Sequence, residues 1–179
     1  VLIEHRPTAE EFSDPARTRQ VFFNVARDLI SDLAGSKNVS INYEDLKKLA
    51  NILVRHTIGF GVLEVLLQDE ELQDIMVNAP VSLSKIFVRH NEFGECVTNL
   101  VPSMEDADSW AAKFRMTSGR ALDEANPILD TNLELNDVSA RVAIIQQPLS
   151  AGGIAYTLRR HGSKPWTLPL FVENGMIDG

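Results

Sequence analysis

Residues Arg141 to Trp166 read RVAIIQQPLSAGGIAYTLRRHGSKPW. Two apolar runs, Arg141–Gln147 and Ile154–Arg160, flank a turn region carrying Pro148, Ser150, Gly152 and Gly153. That pattern predicts a β-hairpin with a loop longer than two residues. Side chains alternate across a strand, so Val142 and Ile144 share one face, as do Ile154, Tyr156 and Leu158. Arg141 and Arg159 fall on the opposite parity, and Arg160 ends its strand. No Asp or Glu occurs between Asp137 and Glu173, while Arg141, Arg159, Arg160 and Lys164 all lie in that window. The chain as a whole has a formal charge of −8, so a local cationic end calls for a reason, and an anion is the simplest one.

Outward from the hairpin, the pattern predicts an antiparallel sheet with a helix on it. Ile75, Met76 and Val77 are a short apolar run; Ile86–Val88 and Glu95–Leu100 read as strands around the turn 90–94. Ser103, with Asp106 three residues on, starts a helix whose apolar face is Ala107, Trp110, Ala111 and Phe114, and Gly119 ends it. A polar loop, 120–130, leads to a strand at 133–135 and the turn Asn136-Asp137. Before this lies a helical region. Asp14 caps a helix beginning at Pro15, with Phe22, Val25, Leu29 and Leu33 in register; Asn42 and Asp45 start a second helix with Leu46, Leu49, Ala50, Leu53 and Val54. Val62–Leu67 is a short third. The fold class is therefore α+β: a small helical bundle at residues 1–59, an α+β domain at 60–162, and a connector at 163–179 punctuated by Pro165 and Pro169.

Several functions are disfavoured. The acidic balance argues against a nucleic-acid partner. A single cysteine, Cys96, forms no internal disulfide and reads as a buried thiol. The histidines 5, 56, 90 and 161 are scattered without metal-ligand spacing. There is no G-x-x-x-x-G-K-[ST]; Gly162-Ser163-Lys164-Pro165 lacks its order, and Gly59-Phe60-Gly61 lacks a third glycine. Nor is there a G-x-S-x-G elbow. The arginines remain, because a planar guanidinium fits phosphate oxygens bidentately. Two readings stay open on the residues alone: an anion site at Arg141, Arg159 and Arg160, or a strand edge kept soluble by cations.

Four stretches carry a further signal: GVLEVLLQDEELQDIMVN (61–78), SGRALDEANPILD (118–130), ARVAIIQQPLS (140–150) and GGIAYTLRRHGSKPWTLPLF (152–171). In content, order and spacing the chain resembles the N-terminal part of the type II/type IV secretion ATPase superfamily, the motors of secretion systems, pili and archaeal surface filaments. The helices before Phe60 look like the extra N-terminal domain of the archaeal branch. The resemblance implies a PAS-like domain, and residues 163–179 leading to a C-terminal RecA-like ATPase domain. It also implies a homohexamer, ATP and Mg²⁺ as cofactors of the parent protein, and a cytoplasmic place at a membrane platform protein. It puts Arg141, Arg159 and Arg160 on the ATP phosphates, with Arg160 ranked slightly above Arg159. Family members often carry D-G-S-R-V where this chain has Asp137-Val138-Ser139-Ala140-Arg141-Val142. Val1 in place of Met and the ending ENGMIDG suggest a piece of a longer protein that would not hydrolyse ATP by itself. The alternative is an autonomous PAS-like sensor or interaction module without an ATPase partner. Phe22, Phe23 and Leu29 are the candidate face for docking a platform, or else pack simply within the helical unit.

Overall fold

The computed structural model describes residues 15–135, 138–162, 172, 175 and 176. The predicted cap Asp14, the turn Asn136-Asp137, Lys164 and the connector prolines lie outside these residues. The chain divides into two compact units, Val1–Leu66 and Leu67–Gly179.

In the first unit, helix α1 (Pro15–Ser36) packs on helix α2 (Tyr43–Thr57). Asn42 caps α2 as its sequence predicts: Oδ1 accepts from the Asp45 amide at 2.8 Å, while Nδ2 donates to the Asp45 carboxylate. The core is Ala26, Ala50 and Val54, with Phe22, Phe23, Ile30, Leu53 and Ile58 against it. Phe22 and Phe23 thus pack within this unit, which agrees with the intramolecular reading of that face rather than the docking one. Leu33 and Leu49, expected in the apolar stripes, are exposed. The two helices meet along one narrow stripe, which small Ala26 and Ala50 allow to close tightly, and the flanks stay outside it. The six-residue α3 (Val62–Leu67) matches its predicted span.

The second unit is a six-stranded sheet with helix α4 (Met104–Ser118). Its strands are β1 (Leu72–Val77), β2 (Ile86–His90), β3 (Gly94–Val97), β4 (Ile128–Leu135), β5 (Val138–Ile145) and β6 (Ala155–Arg160). The order is β3-β2-β1-β6-β5-β4, antiparallel throughout, so the chain's last strand closes the middle against its first. This is the α+β fold class expected. The hairpin quoted above is β5–β6, with Val142 opposite Leu158 and Ile144 opposite Tyr156.

Alternation sorts the sheet into a core face and an open face. Ile75, Val77, Val88, Leu129, Leu133, Val142, Ile144, Tyr156 and Leu158 are buried on the core face under α4. Tyr156 anchors that contact: its hydroxyl donates to the Ala107 carbonyl at 2.6 Å, and Trp110 meets its ring edge-on at 5.7 Å. Helix α4 carries the predicted capping box at Ser103 and Asp106 and ends at Gly119, whose φ of 65° is the left-handed conformation that glycine adopts without strain.

Among the differences from expectation are two strand starts and the burial of Cys96. Strand β4 begins at Ile128, inside the predicted loop, because Leu129 and Leu133 keep a period of two across polar Thr131. Strand β5 begins at Val138, where pairing to Leu135 starts the ladder. Cys96 is half-buried rather than buried, since β3 is an edge strand with one neighbour.

Candidate functional site

Arg141 and Arg159 are directly opposite each other, on β5 and β6. Both project from the open face, because their neighbours Val142 and Leu158 fill the core face. The row continues across the sheet: Arg89 on β2, Asp74 on β1, Arg159, Arg141, then Asn132 on β4. The expected juxtaposition of Arg141 and Arg159 is therefore present.

Acid-free sequence does not make acid-free space. The Arg159 Nε donates to Asp74 Oδ1 at 2.7 Å, and its Nη2 reaches Oδ2 at 3.5 Å. The Arg141 Nε donates to Asp130 Oδ1 at 3.1 Å, with Nη2 to Oδ2 at 2.5 Å. Each guanidinium is gripped along its Nε–Nη2 edge. Both side chains remain well exposed, 64% and 71%. The Arg141 hydrogen bond holds the Asp130 carboxyl below the usual carboxylate range. Each arginine is in turn raised by its own carboxylate, while Arg141 pulls Arg159 back down by repulsion. Like charges directly opposite on a sheet are destabilising, and here each member is also paired with a carboxylate from the neighbouring strand.

Arg160 is not brought to this face. It shares parity with Leu158 and lies opposite buried Ala140. Its side chain is 9% exposed; Nε donates to the Leu67 carbonyl at 3.1 Å, and Nη2 stands 3.8 Å from Glu70. Arg159 and Arg160 are adjacent in sequence and on opposite sides of the sheet.

Two residues were missed by sequence reasoning. Ser139 shares the open face with Arg141, two positions along β5, and its Oγ lies 3.0 Å from His161 Nδ1. The His161 amide donates to the Ser139 carbonyl at 2.9 Å, extending the β5–β6 ladder by one row. The signal was available: Ser139 and His161 have the same parity as Arg141 and Arg159.

The arrangement offers donors to a tetrahedral anion. Two exposed guanidinium groups, each engaged through Nε and Nη2, stand next to a hydroxyl and an imidazole on the same face. These residues fit the phosphoryl end of a nucleotide, since Arg supplies donors in a rigid fork. A metal cage is a different matter: among the described residues no group of three His, Cys, Asp or Glu side chains is placed to hold an ion. Among the same residues no helix is long and apolar enough to cross a membrane. Elsewhere in this unit, a cavity of about 340 Å³ opens between α4 and the β5–β6 loop, lined by Asp108, Arg115, Glu124, Gln146 and Gln147.

No family model matches the sequence. Three relatives come from Methanocaldococcus jannaschii. Uncharacterized protein MJ0781 is 26% identical over 87% of this chain and 21% of its own length. Uncharacterized protein MJ1288 is 28% identical over 60% of this chain and 42% of its own. Uncharacterized protein MJ0900 is 31% identical over 76% of this chain and 24% of its own. The chain thus spans less than half the length of the curated relatives it matches. Among solved structures, it is similar to the VirB11 ATPase from the Brucella suis type IV secretion system, determined in complex with sulphate. The TM-score is 0.52 at 20% identity, covering 64% of this chain and 32% of that one. At that identity the likeness is one of fold.

Proposed function

We propose that this chain is the N-terminal part of a secretion or filament motor ATPase, and that Arg141 and Arg159 complete a phosphate site whose other half lies on an ATPase domain. The observation that carries the reading is the register pair itself. Two arginines directly opposite each other are each paired with a carboxylate, and both side chains remain well exposed. The fold likeness to a secretion ATPase and the greater length of the archaeal relatives support the same reading.

In this account the arginines stabilise charge on a transferring phosphoryl group electrostatically. Asp74 and Asp130 orient them before the nucleotide arrives, so little reorganisation is needed. ATP supplies the phosphoryl group, and Mg²⁺ is assigned to the ATPase domain together with the P-loop. Arg160 braces the Leu67 carbonyl rather than touching the nucleotide. Assembly as a hexamer, docking to a membrane platform and export or filament assembly as the output belong to the same proposal. The test is ATP hydrolysis by the full-length gene product with Arg141→Gln and Arg159→Gln. Each substitution lowers turnover about tenfold or more, an effect of arginine-finger size. Unchanged turnover in the double variant overturns the reading.

A second reading, a free-standing binding module, is favoured by the cavity beneath α4, which falls in the size range of small-molecule sites. A full-length product without ATPase activity selects it.

A further inference from the structure

We propose that Ser139 and His161 belong to the anion site and make its affinity depend on pH. This inference deepens the function proposed above and rests on it. It starts from the 3.0 Å contact between Ser139 Oγ and His161 Nδ1, one row along the open face from Arg141 and Arg159.

The two protonation states of the imidazole use the hydroxyl differently. With a neutral ring whose Nδ1 is the acceptor, the Ser139 proton is directed at His161. With a charged ring, Nδ1 becomes a donor to Oγ, and the Ser139 proton turns outward. Protonation therefore adds a positive charge beside the arginines and at the same time frees a hydroxyl donor for the anion. Histidine is the side chain whose charge changes between about pH 5 and 8. The charged groups facing the pair are Glu134 on β4, opposite Ser139, and Arg141 and Arg159 on β5 and β6. Asp130 and Asp74 are already engaged by those arginines. The row Glu134–Ser139–His161 is not a nucleophilic triad, because there the histidine stands between the hydroxyl and the acid.

Sulfate is the probe, a tetrahedral dianion whose own charge is constant from pH 5 to 8. Binding to the chain is followed by amide shifts of Ser139, Arg141, Arg159 and His161 in NMR titrations at about pH 5.5 and about pH 8. The wild-type chain binds about fivefold more tightly at the lower pH. His161→Gln removes that difference. Ser139→Ala, which retains the imidazole charge, removes part of it. An unchanged pH difference in His161→Gln overturns the inference, as does a wild type with no pH difference. Loss of the arginine contribution is read separately: wild-type affinity in Arg141→Gln/Arg159→Gln sinks the proposed function instead.

Discussion

Arg141 and Arg159 occupy opposite positions on two paired strands, yet each makes its ion pair with the strand on its far side. Across the sheet the row reads Arg89, Asp74, Arg159, Arg141, Asn132, with Asp130 reaching Arg141 diagonally from β4. Each of the two arginines is paired with one of these carboxylates, and both side chains remain well exposed.

Removing a brace tests that arrangement. Asp130 has its pKa lowered in the folded state, chiefly by the Arg141 hydrogen bond. Its stabilising contribution is therefore present above the ordinary aspartate value of about 4 and is lost as pH falls through the lowered folded value. Asp130→Asn flattens this part of the acid limb in urea titrations. The change is small because the pair is exposed.

Arg160 is predicted to behave unlike its neighbours. Arg160→Ala leaves the Leu67 carbonyl without its donor and lowers unfolding free energy by about 1–3 kcal/mol. Arg141→Gln and Arg159→Gln change it less, because both arginine side chains are well exposed. Denaturant midpoints of the three variants separate the bracing arginine from the exposed pair.

Tyr156 gives an alkaline signature. Burial raises its pKa well above the ordinary tyrosine value, so the folded state resists ionisation. Stability is full below about pH 10 and falls as pH rises through the raised value. Tyr156→Phe flattens this limb, and it costs about 1 kcal/mol at neutral pH through the lost bond to Ala107.

Gly59 tests the first unit. A Cβ there would collide with Glu64 Oε2 and lie 3.0 Å from the Arg55 carbonyl. Glu64 is buried and held by Arg19, with Arg55 Nε at 3.7 Å, so its carboxylate has little freedom to retreat. Gly59→Ala destabilises by about 1–3 kcal/mol, as overpacking does. A thermal midpoint equal to wild type refutes the contact.

Much of the fold was legible because its signals are local. The Ser103–Asp106 box, the Gly119 stop and the alternation in β5 and β6 each sit within a few residues. The site was legible only in part. Arg159 meets Asp74 across 85 residues of chain, and no window of sequence shows that pairing. The acid-free run 138–172 looked cationic, but β1 and β4 bring carboxylates to it from either side. The separation of Arg159 from Arg160 follows from parity alone. What parity could not give was the donor role of Arg160, which depends on where Leu67 comes to lie. Ser139 and His161 share the parity of Arg141 and Arg159, but they are 22 residues apart and carry no motif to draw attention to them.

The most direct test is steady-state ATP hydrolysis by the full-length gene product carrying Arg159→Gln, with its thermal midpoint measured alongside. The account predicts turnover reduced about tenfold or more with the midpoint nearly unchanged. Wild-type turnover in that variant, and again when Arg141→Gln is added, contradicts the claim that this pair meets the phosphates.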